Sequence, residues 1–256
     1  MKRIRVIPSL LIQKGGLVKS VKFKDHKYVG DPINAVKIFN DKEVDELVLL
    51  DISATAEKRG PQLKFIIEIA SEAFMPMAYG GGIHSIEQIR ALITGGIEKV
   101  VLNTVAFDDP ALITQAAEFA GSQSVVVSMD VKKNLWGKYQ VYVNNGTRST
   151  KMDPVTYAKK MESLGAGEII LMAIDRDGSF QGYDLELIKL VSQAVSIPVV
   201  AIGGSATVED FGNAIKAGAS AVSAGSQFVF QRPHRAVLIS YPSQKELKEK
   251  LFTIIN

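Results

Sequence analysis

Residues 77–104, MAYGGGIHSIEQIRALITGGIEKVVLNT, decide the fold. They hold one complete unit of a pattern: a short apolar run at 77–79, a glycine turn at 79–85, an amphipathic stretch of helical period at 85–96 and a second apolar run at 100–102. The runs are continuous rather than alternating, which is the mark of strands covered on both faces in a parallel sheet. Further runs of this kind occupy 4–7, 47–52, 125–129, 169–174, 199–202 and 221–224. Amphipathic stretches at 32–43, 109–121, 153–167, 184–195 and 207–219 lie between them, several opening on an Asp or Ser N-cap and closing on Gly. Eight strands alternating with helices over 256 residues predict an α/β fold, a single (β/α)8 TIM barrel.

The unit returns 122 positions later as VVAIGGSATVEDFGNAIKAGASAVSAGS at 199–226. The same offset carries Asp31-Pro32 to Asp153-Pro154, Glu46 to Glu168, Ile52 to Ile174, Gly81-Gly82 to Gly203-Gly204, Glu87 to Glu209, Gly96 to Gly218, Val100 to Val222 and Thr104 to Ser226. A whole set in register is the signature of an internal repeat. The chain is therefore read as two similar half-barrels, roughly 1–122 and 123–256, forming one domain over 1–256. Two segments break the pattern, and both follow strand C-termini, the functional face of such a barrel. One is 15–30, too long for a plain connection; the other is 132–151, which reads as a hairpin turning at Asn145-Gly146.

Composition narrows the function classes. With 46% hydrophobic and 22% charged residues the chain is not disordered. It has no cysteine, which excludes a disulfide framework, a thiolate zinc site and a cysteine nucleophile; neither a metal nor a cofactor is expected. Thirty Lys and Arg against 27 Asp and Glu leave a net charge of +3. Spread along the sequence, that balance argues against a nucleic-acid partner and is compatible with a small anionic ligand. The opening apolar run is interrupted by Pro8 and has no small-residue cleavage site after it, so it is read as the first buried strand. No run approaches the ~20 apolar residues of a membrane span, and a cytoplasmic location without membrane contact is the expectation.

Three groups of positions carry chemistry. The first is the pair of glycine turns, Gly81-Gly82 and Gly203-Gly204, with the small polar pairs Asn103-Thr104 and Gly225-Ser226 that end the following strands. Backbone N–H groups exposed by glycine at a helix N-terminus bind phosphate, and two related turns suit a phosphorylated small molecule with phosphate at both ends. The plainer reading is a tight turn in a left-handed conformation. The second group is Asp51 and Asp130, read as ending strands 2 and 5, where partial burial raises a carboxylate toward general acid–base use; loop capping or pairing with a neighbouring cation is the alternative. Lys19, placed on the loop after strand 1, either closes on anionic substrate or is solvated. The third group is Arg5, Glu46, Lys99 and Glu168, each at the N-terminal end of an apolar run. They predict an alternating-sign ring across the barrel floor, either a polar end to the core or a gate for a small polar species.

At these residues the chain resembles the HisF family, the cyclase subunit of imidazole glycerol phosphate synthase, over essentially its full length. The resemblance is carried by RVIPSL, VGDPINA, DELVLLDI, GGGIHSIEQI, EKVVLNT, GSQSVVVSMDVKK, LGAGEIIL, IDRDGSFQGYDLELI, SIPVVAIGGS and GASAVSAGSQFVF. It implies a (β/α)8 barrel with a HisH-like glutaminase docked on the N-terminal face and ammonia passing through the barrel to the cyclase site. Arg5, Glu46, Lys99 and Glu168 match the family's channel-gate ring, and Glu98 an acidic docking position. Lys19, Asp51 and Asp130 match functional positions at the mouth, and Asp175, Asp177, Gly178 and Ser179 the loop lining the second half of the site. The family's other catalytic carboxylate, however, falls at Leu11, and nearby polar positions fall at Ala78, Val101 and Met172. Those changes, with the tail RAVLISYPS and the segment 28–52, resemble a HisF-like branch found beside a HisH-like glutaminase and an amidotransferase that forms acetamidino sugars of surface polysaccharides. Three readings stay open at this point: a barrel that conducts ammonia for sugar amidination, with a sugar-nucleotide amidotransferase as further partner; a working cyclase making imidazole glycerol phosphate and AICAR for histidine biosynthesis; and an unrelated phosphate-binding isomerase barrel.

Overall fold

The computed structural model describes residues 4–231, 234 and 236–253. The first three residues of the opening segment, Arg235 of the tail and both ends of the 1–256 span lie outside the described residues. Eight strands, β1 (Val6–Gln13), β2 (Leu47–Asp51), β3 (Met77–Gly80), β4 (Lys99–Leu102), β5 (Val125–Lys133), β6 (Glu168–Ala173), β7 (Val199–Ile202) and β8 (Ala221–Ala224), pair in sequence order. Every pairing among them is parallel, and β8 returns to β1, so the sheet closes. Around it run α1 (Pro32–Asp41), α2 (Leu63–Ser71), α3 (Ile86–Thr94), α4 (Ala111–Ala120), α5 (Pro154–Ser163), α6 (Leu185–Ser192), α7 (Val208–Lys216) and the short α8 (Gln244–Leu247). The architecture is the (β/α)8 barrel that the alternation predicts.

The continuous apolar runs have a simple cause. Ile7, Val48, Ala78, Val101, Val126, Ile170, Val200 and Ala221, one from each strand, point inward and pack on one another. Their neighbours Val6, Leu47, Met77, Val100, Val125, Ile169, Val199 and Val222 point outward into the helix layer. With both faces buried, most strand positions are apolar, and the polar exceptions such as Ser9, Ser128 and Ser223 are buried as well.

The insertions lengthen two strands beyond their expected ends. β1 is expected at 4–7 and runs to Gln13, because its last residues pair antiparallel with Gly16–Val21, which pairs in turn with Lys24–Gly30. Lys19 is therefore on a strand and not on a loop. β5 likewise continues past Asp130 to Lys133 by pairing with Tyr139–Val143, so Asp130 lies where the strand leaves the barrel and not at its end. Asn145-Gly146 does form a turn, with positive φ at both residues, but it joins Tyr139–Val143 to Arg148–Ser149. The turn back from β5 is residues 134–138, which makes a three-stranded meander.

The repeated Asp-Pro pairs start helices. Asp31 accepts the Asn34 N–H at 2.9 Å and Asp153 the Thr156 N–H at 3.0 Å, each followed by Pro in the first turn. The Asp153 carboxyl lies below its ordinary range because of the Thr156 hydrogen bond. Asp153→Ala should therefore cost about 1 kcal/mol of unfolding free energy near neutral pH, measured by urea titration. Since the folded-state pKa is depressed, this contribution is full above the unfolded aspartate value near 4 and is lost as the pH falls through the lower folded value. An equal deficit of the variant at every pH would contradict the capping role.

Candidate functional site

A cavity of about 680 Å³ opens at the C-terminal end of the strands, lined by Leu11, Lys19, Asp51, Asp130, Asp177 and both glycine turns. Gly81 and Gly82 have φ of +127° and +68°, and Gly203 and Gly204 both +103°. A Cβ would run into the carbonyl of Asp51 at Gly81, of Arg59 at Gly82, of Ala173 at Gly203 and of Gly182 at Gly204. Backbone packing alone thus demands glycine at all four positions. Facing these turns, short helices at Thr104–Asp108 and Ser226–Val229 begin on the cavity wall, next to Asn103 and Gly225. The Thr104 hydroxyl accepts the Asn144 N–H of the meander at 3.0 Å. Gly178 closes the wall beside Asp177, where a Cβ would meet the Ser20 carbonyl.

The titratable groups divide into two kinds. Asp51 is fully engaged: Arg59 grips both its oxygens at 2.8 and 3.0 Å, and it accepts the N–H groups of Ser53 and Ala54 and the Ser53 hydroxyl. Asp130 is buried with weaker support, the Asn103 amide at 3.2 Å and the Ser128 hydroxyl at 3.4 Å. Burial pushes its pKa up to about 7 against those two hydrogen bonds. Lys19, also buried, donates to the Ser9 carbonyl and lies against Gly225. Burial lowers its pKa to about 8, with the charge of Asp177 acting the other way. Asp177 is raised by burial, although Ser20 and the Phe23 N–H both donate to it. Leu11, between Val18 and Leu50 in the sheet, presents an apolar wall to the same cavity.

The opposite end holds a closed ring. Arg5 bonds Glu46 and Glu168, and Lys99 bonds Glu46 at 3.0 Å and Glu168 at 2.8 Å, so each ion touches two of opposite sign. Burial disfavours charge on Glu168, yet Arg5 and Lys99 outweigh it and the carboxyl ends below its ordinary value. Arg5 is raised for the same reason, burial being outweighed by the two glutamates. Glu98, exposed beside the ring, accepts the Met77 N–H at 2.6 Å. Sequence reasoning missed Arg59, Asn103 as a partner of Asp130, and Ser9, whose buried hydroxyl has no partner and borders the cavity. Only Arg59 left a signal, a basic residue eight positions after Asp51.

Comparison with known proteins adds the following. The family model described as histidine biosynthesis protein matches residues 5–233. A Pseudomonas aeruginosa protein provisionally named imidazole glycerol phosphate synthase subunit hisF2 is 50% identical over 248 residues, spanning 96% of this chain and 99% of the relative. A Leptospira interrogans protein provisionally named as the HisF subunit is 45% identical over 254 residues, 98% of this chain and all of the relative. An Alkaliphilus metalliredigens imidazole glycerol phosphate synthase subunit HisF is 45% identical over 225 residues, 88% and 89% of the two chains.

The burial of Asp130 has a measurable consequence. A carboxyl whose folded pKa exceeds its unfolded value holds an extra proton between the two, so stability declines as the pH rises from about 4 to about 7. Asp130→Asn should flatten this decline and be more favourable, relative to wild type, at pH 8 than at pH 5. Lys19 begins to titrate near its folded value of about 8 in wild type and variant alike, so its contribution drops out of the difference between them. Urea midpoints at the two pH values test this; an identical difference at both would contradict the raised pKa.

Proposed function

The chain belongs to the HisF family, and on that premise we propose that it receives ammonia from a HisH-like glutaminase on its N-terminal face and conducts it to the mouth for acetamidino-sugar formation. The observation that supports this best is the combination of a complete charge ring with Leu11. Above the ring, the inward side chains of the barrel are almost entirely apolar up to the cavity, and they include Ala78, Val101 and Met172. Such a column passes neutral ammonia and rejects ammonium, whose desolvation costs several kcal/mol. Opening the ring requires one bridge to yield, and Lys99, a flexible single-point donor bonded to both glutamates, is the simplest to swing aside. Glu98 is the proposed docking contact beside it.

At the mouth, Leu11 removes a proton-transfer group, and general acid–base catalysis is worth about 10²–10⁴-fold per group. The cavity in this reading holds a phosphorylated small molecule between the turns at Gly81-Gly82 with Thr104 and Gly203-Gly204 with Ser226. The nitrogen goes on to a sugar-nucleotide amidotransferase acting in surface-polysaccharide synthesis. One observation favours a second reading, a working cyclase that makes imidazole glycerol phosphate and AICAR. Lys19 at about 8 and Asp130 at about 7 are both poised near neutrality in one cavity, an arrangement suited to acid–base work without a carboxylate at position 11.

An assay of the two-phosphate cyclase substrate with saturating ammonium salt separates the readings. Turnover at least ~100-fold below an authentic cyclase is expected, with a gain in Leu11→Asp; a kcat within tenfold of the authentic enzyme would establish the second reading. The channel has its own test. Lys99→Ala leaves each glutamate its bond to Arg5, so the barrel should stay folded at some cost in stability and lower the product formed per glutamine hydrolysed in the complex with the glutaminase. An unchanged ratio, or no glutaminase binding at micromolar concentration, would reduce the ring to a polar end of the core.

A further inference from the structure

The two segments that interrupt the barrel pattern, 15–30 and 132–151, hold nine Lys and Arg against one Asp, whereas the whole chain has a net charge of only +3. Acids from neighbouring elements pair part of that charge, Glu186 with Lys133 at 3.5 Å and Asp108 with Arg148 at 2.7 Å. The segments meet at the mouth: Gly146 of the second packs against the Phe23 ring of the first. Lys22, Lys24, Lys138 and Lys151 are exposed, and none of the four lines the cavity. Holding four such lysines on one rim costs self-repulsion.

On the same face the turn at 134–138 exposes two apolar side chains, Leu135 at 98% and Trp136 at 82%. The turn is tightly tied. Asn134 Oδ1 accepts the N–H groups of Trp136 at 2.9 Å and Lys138 at 3.0 Å, its carbonyl accepts the Gly137 N–H at 2.9 Å, and its own N–H donates to the Lys138 carbonyl at 2.9 Å. The backbone that presents the two apolar groups is thus fixed before anything binds, which lowers the entropic cost of association. A Trp beside a Leu on a fixed turn, within a polar surround, has the make-up of an interface anchor.

We propose that this rim docks the enzyme that consumes the ammonia, a protein with an apolar socket for Leu135 and Trp136 inside an acidic collar that meets Lys22, Lys24, Lys138 and Lys151. The proposal rests on the nitrogen-delivery reading above. A small anion in the cavity touches none of these four lysines, and the most exposed side chain of the turn, a leucine, neither stacks on bases nor pairs with phosphate. Ammonia, in contrast, diffuses away from an open mouth, so handing it to a second protein requires contact around the opening. The anchor stands outside the cavity and leaves that path free.

Trp136 is the chain's single tryptophan, so barrel labelled with 5-fluorotryptophan gives one ¹⁹F resonance. The labelled barrel–glutaminase complex is titrated with unlabelled, purified sugar-nucleotide amidotransferase from the same cell. The resonance should shift and lose its H₂O/D₂O isotope sensitivity at saturation. By calorimetry Trp136→Ala should weaken amidotransferase binding at least tenfold while leaving glutaminase affinity unchanged, and K24E/K138E should weaken it and flatten its salt dependence. Binding that leaves the resonance unmoved, or variants that bind as wild type, would overturn the proposal. Amidine formation from glutamine by the three proteins together distinguishes the levels. If amidine forms while the resonance stays still, the docking surface is wrong and the delivery reading stands; if no amidine forms and the amidotransferase does not bind, both fall. A shift on phosphatidylglycerol vesicles but not on the amidotransferase would make the rim a membrane contact and overturn the proposal.

Discussion

The two buried glutamates of the floor impose the strictest pairing requirement at that end of the barrel. Glu46 and Glu168 are 4% and 5% exposed, and a carboxylate taken that far from water without a partner costs several kcal/mol. Each is shared by Arg5 and Lys99, so removal of any one of the four leaves two opposite charges undersatisfied. The ring spans the entrances to β1, β2, β4 and β6, which places it on the axis below the inward apolar column. It is also neutral as a whole. A neutral ring with no surplus field neither concentrates ions nor repels a small uncharged solute, whereas a cation meets the apolar column directly behind it.

The mouth follows a different logic, in which backbone constraint and ligand chemistry ask for the same residues. Gly81, Gly82, Gly203 and Gly204 are demanded by carbonyls packed against them, and the same bare backbone is what an anion would approach. The two demands separate at the carboxylates. Asp51 has its lone pairs taken by Arg59, Ser53 and Ala54, which fixes the loop after β2 under the first glycine turn. Asp130 has only two weak donors and keeps a raised pKa, so it retains protons to exchange.

The sequence made the strands legible because both faces are buried, and it made α1, α3, α4, α5, α6 and α7 legible because they carry caps or an amphipathic period. It left α2 unread because nothing marks its start, the N-cap Gln62 making no side-chain bond, although Ile66 and Ile69 form a buried face. The extents of β1 and β5 were hidden for another reason. Their final residues are set by antiparallel partners several positions away, and hairpin pairing of this kind leaves no period in a single strand. Lys19 was misplaced on a loop by the same cause. The floor ring was readable because charged residues stand at the edges of apolar runs, while the Asp51–Arg59 pair was not, since a loop of unmarked shape brings them together.

Asp130 and Lys19 give the cavity a property that neither has alone. Near pH 7.5 each is a mixture of charged and neutral forms, with pKa values of about 7 and about 8. An anion arriving between the glycine turns favours the charged lysine and the neutral carboxyl, so both pKa values move upward. Binding is then accompanied by proton uptake, and it weakens as the pH rises through this range. Leu11 sharpens the effect, because a carboxylate at that position would itself hold Lys19 in its charged form. With leucine at position 11, the lysine follows the charge of whatever occupies the cavity.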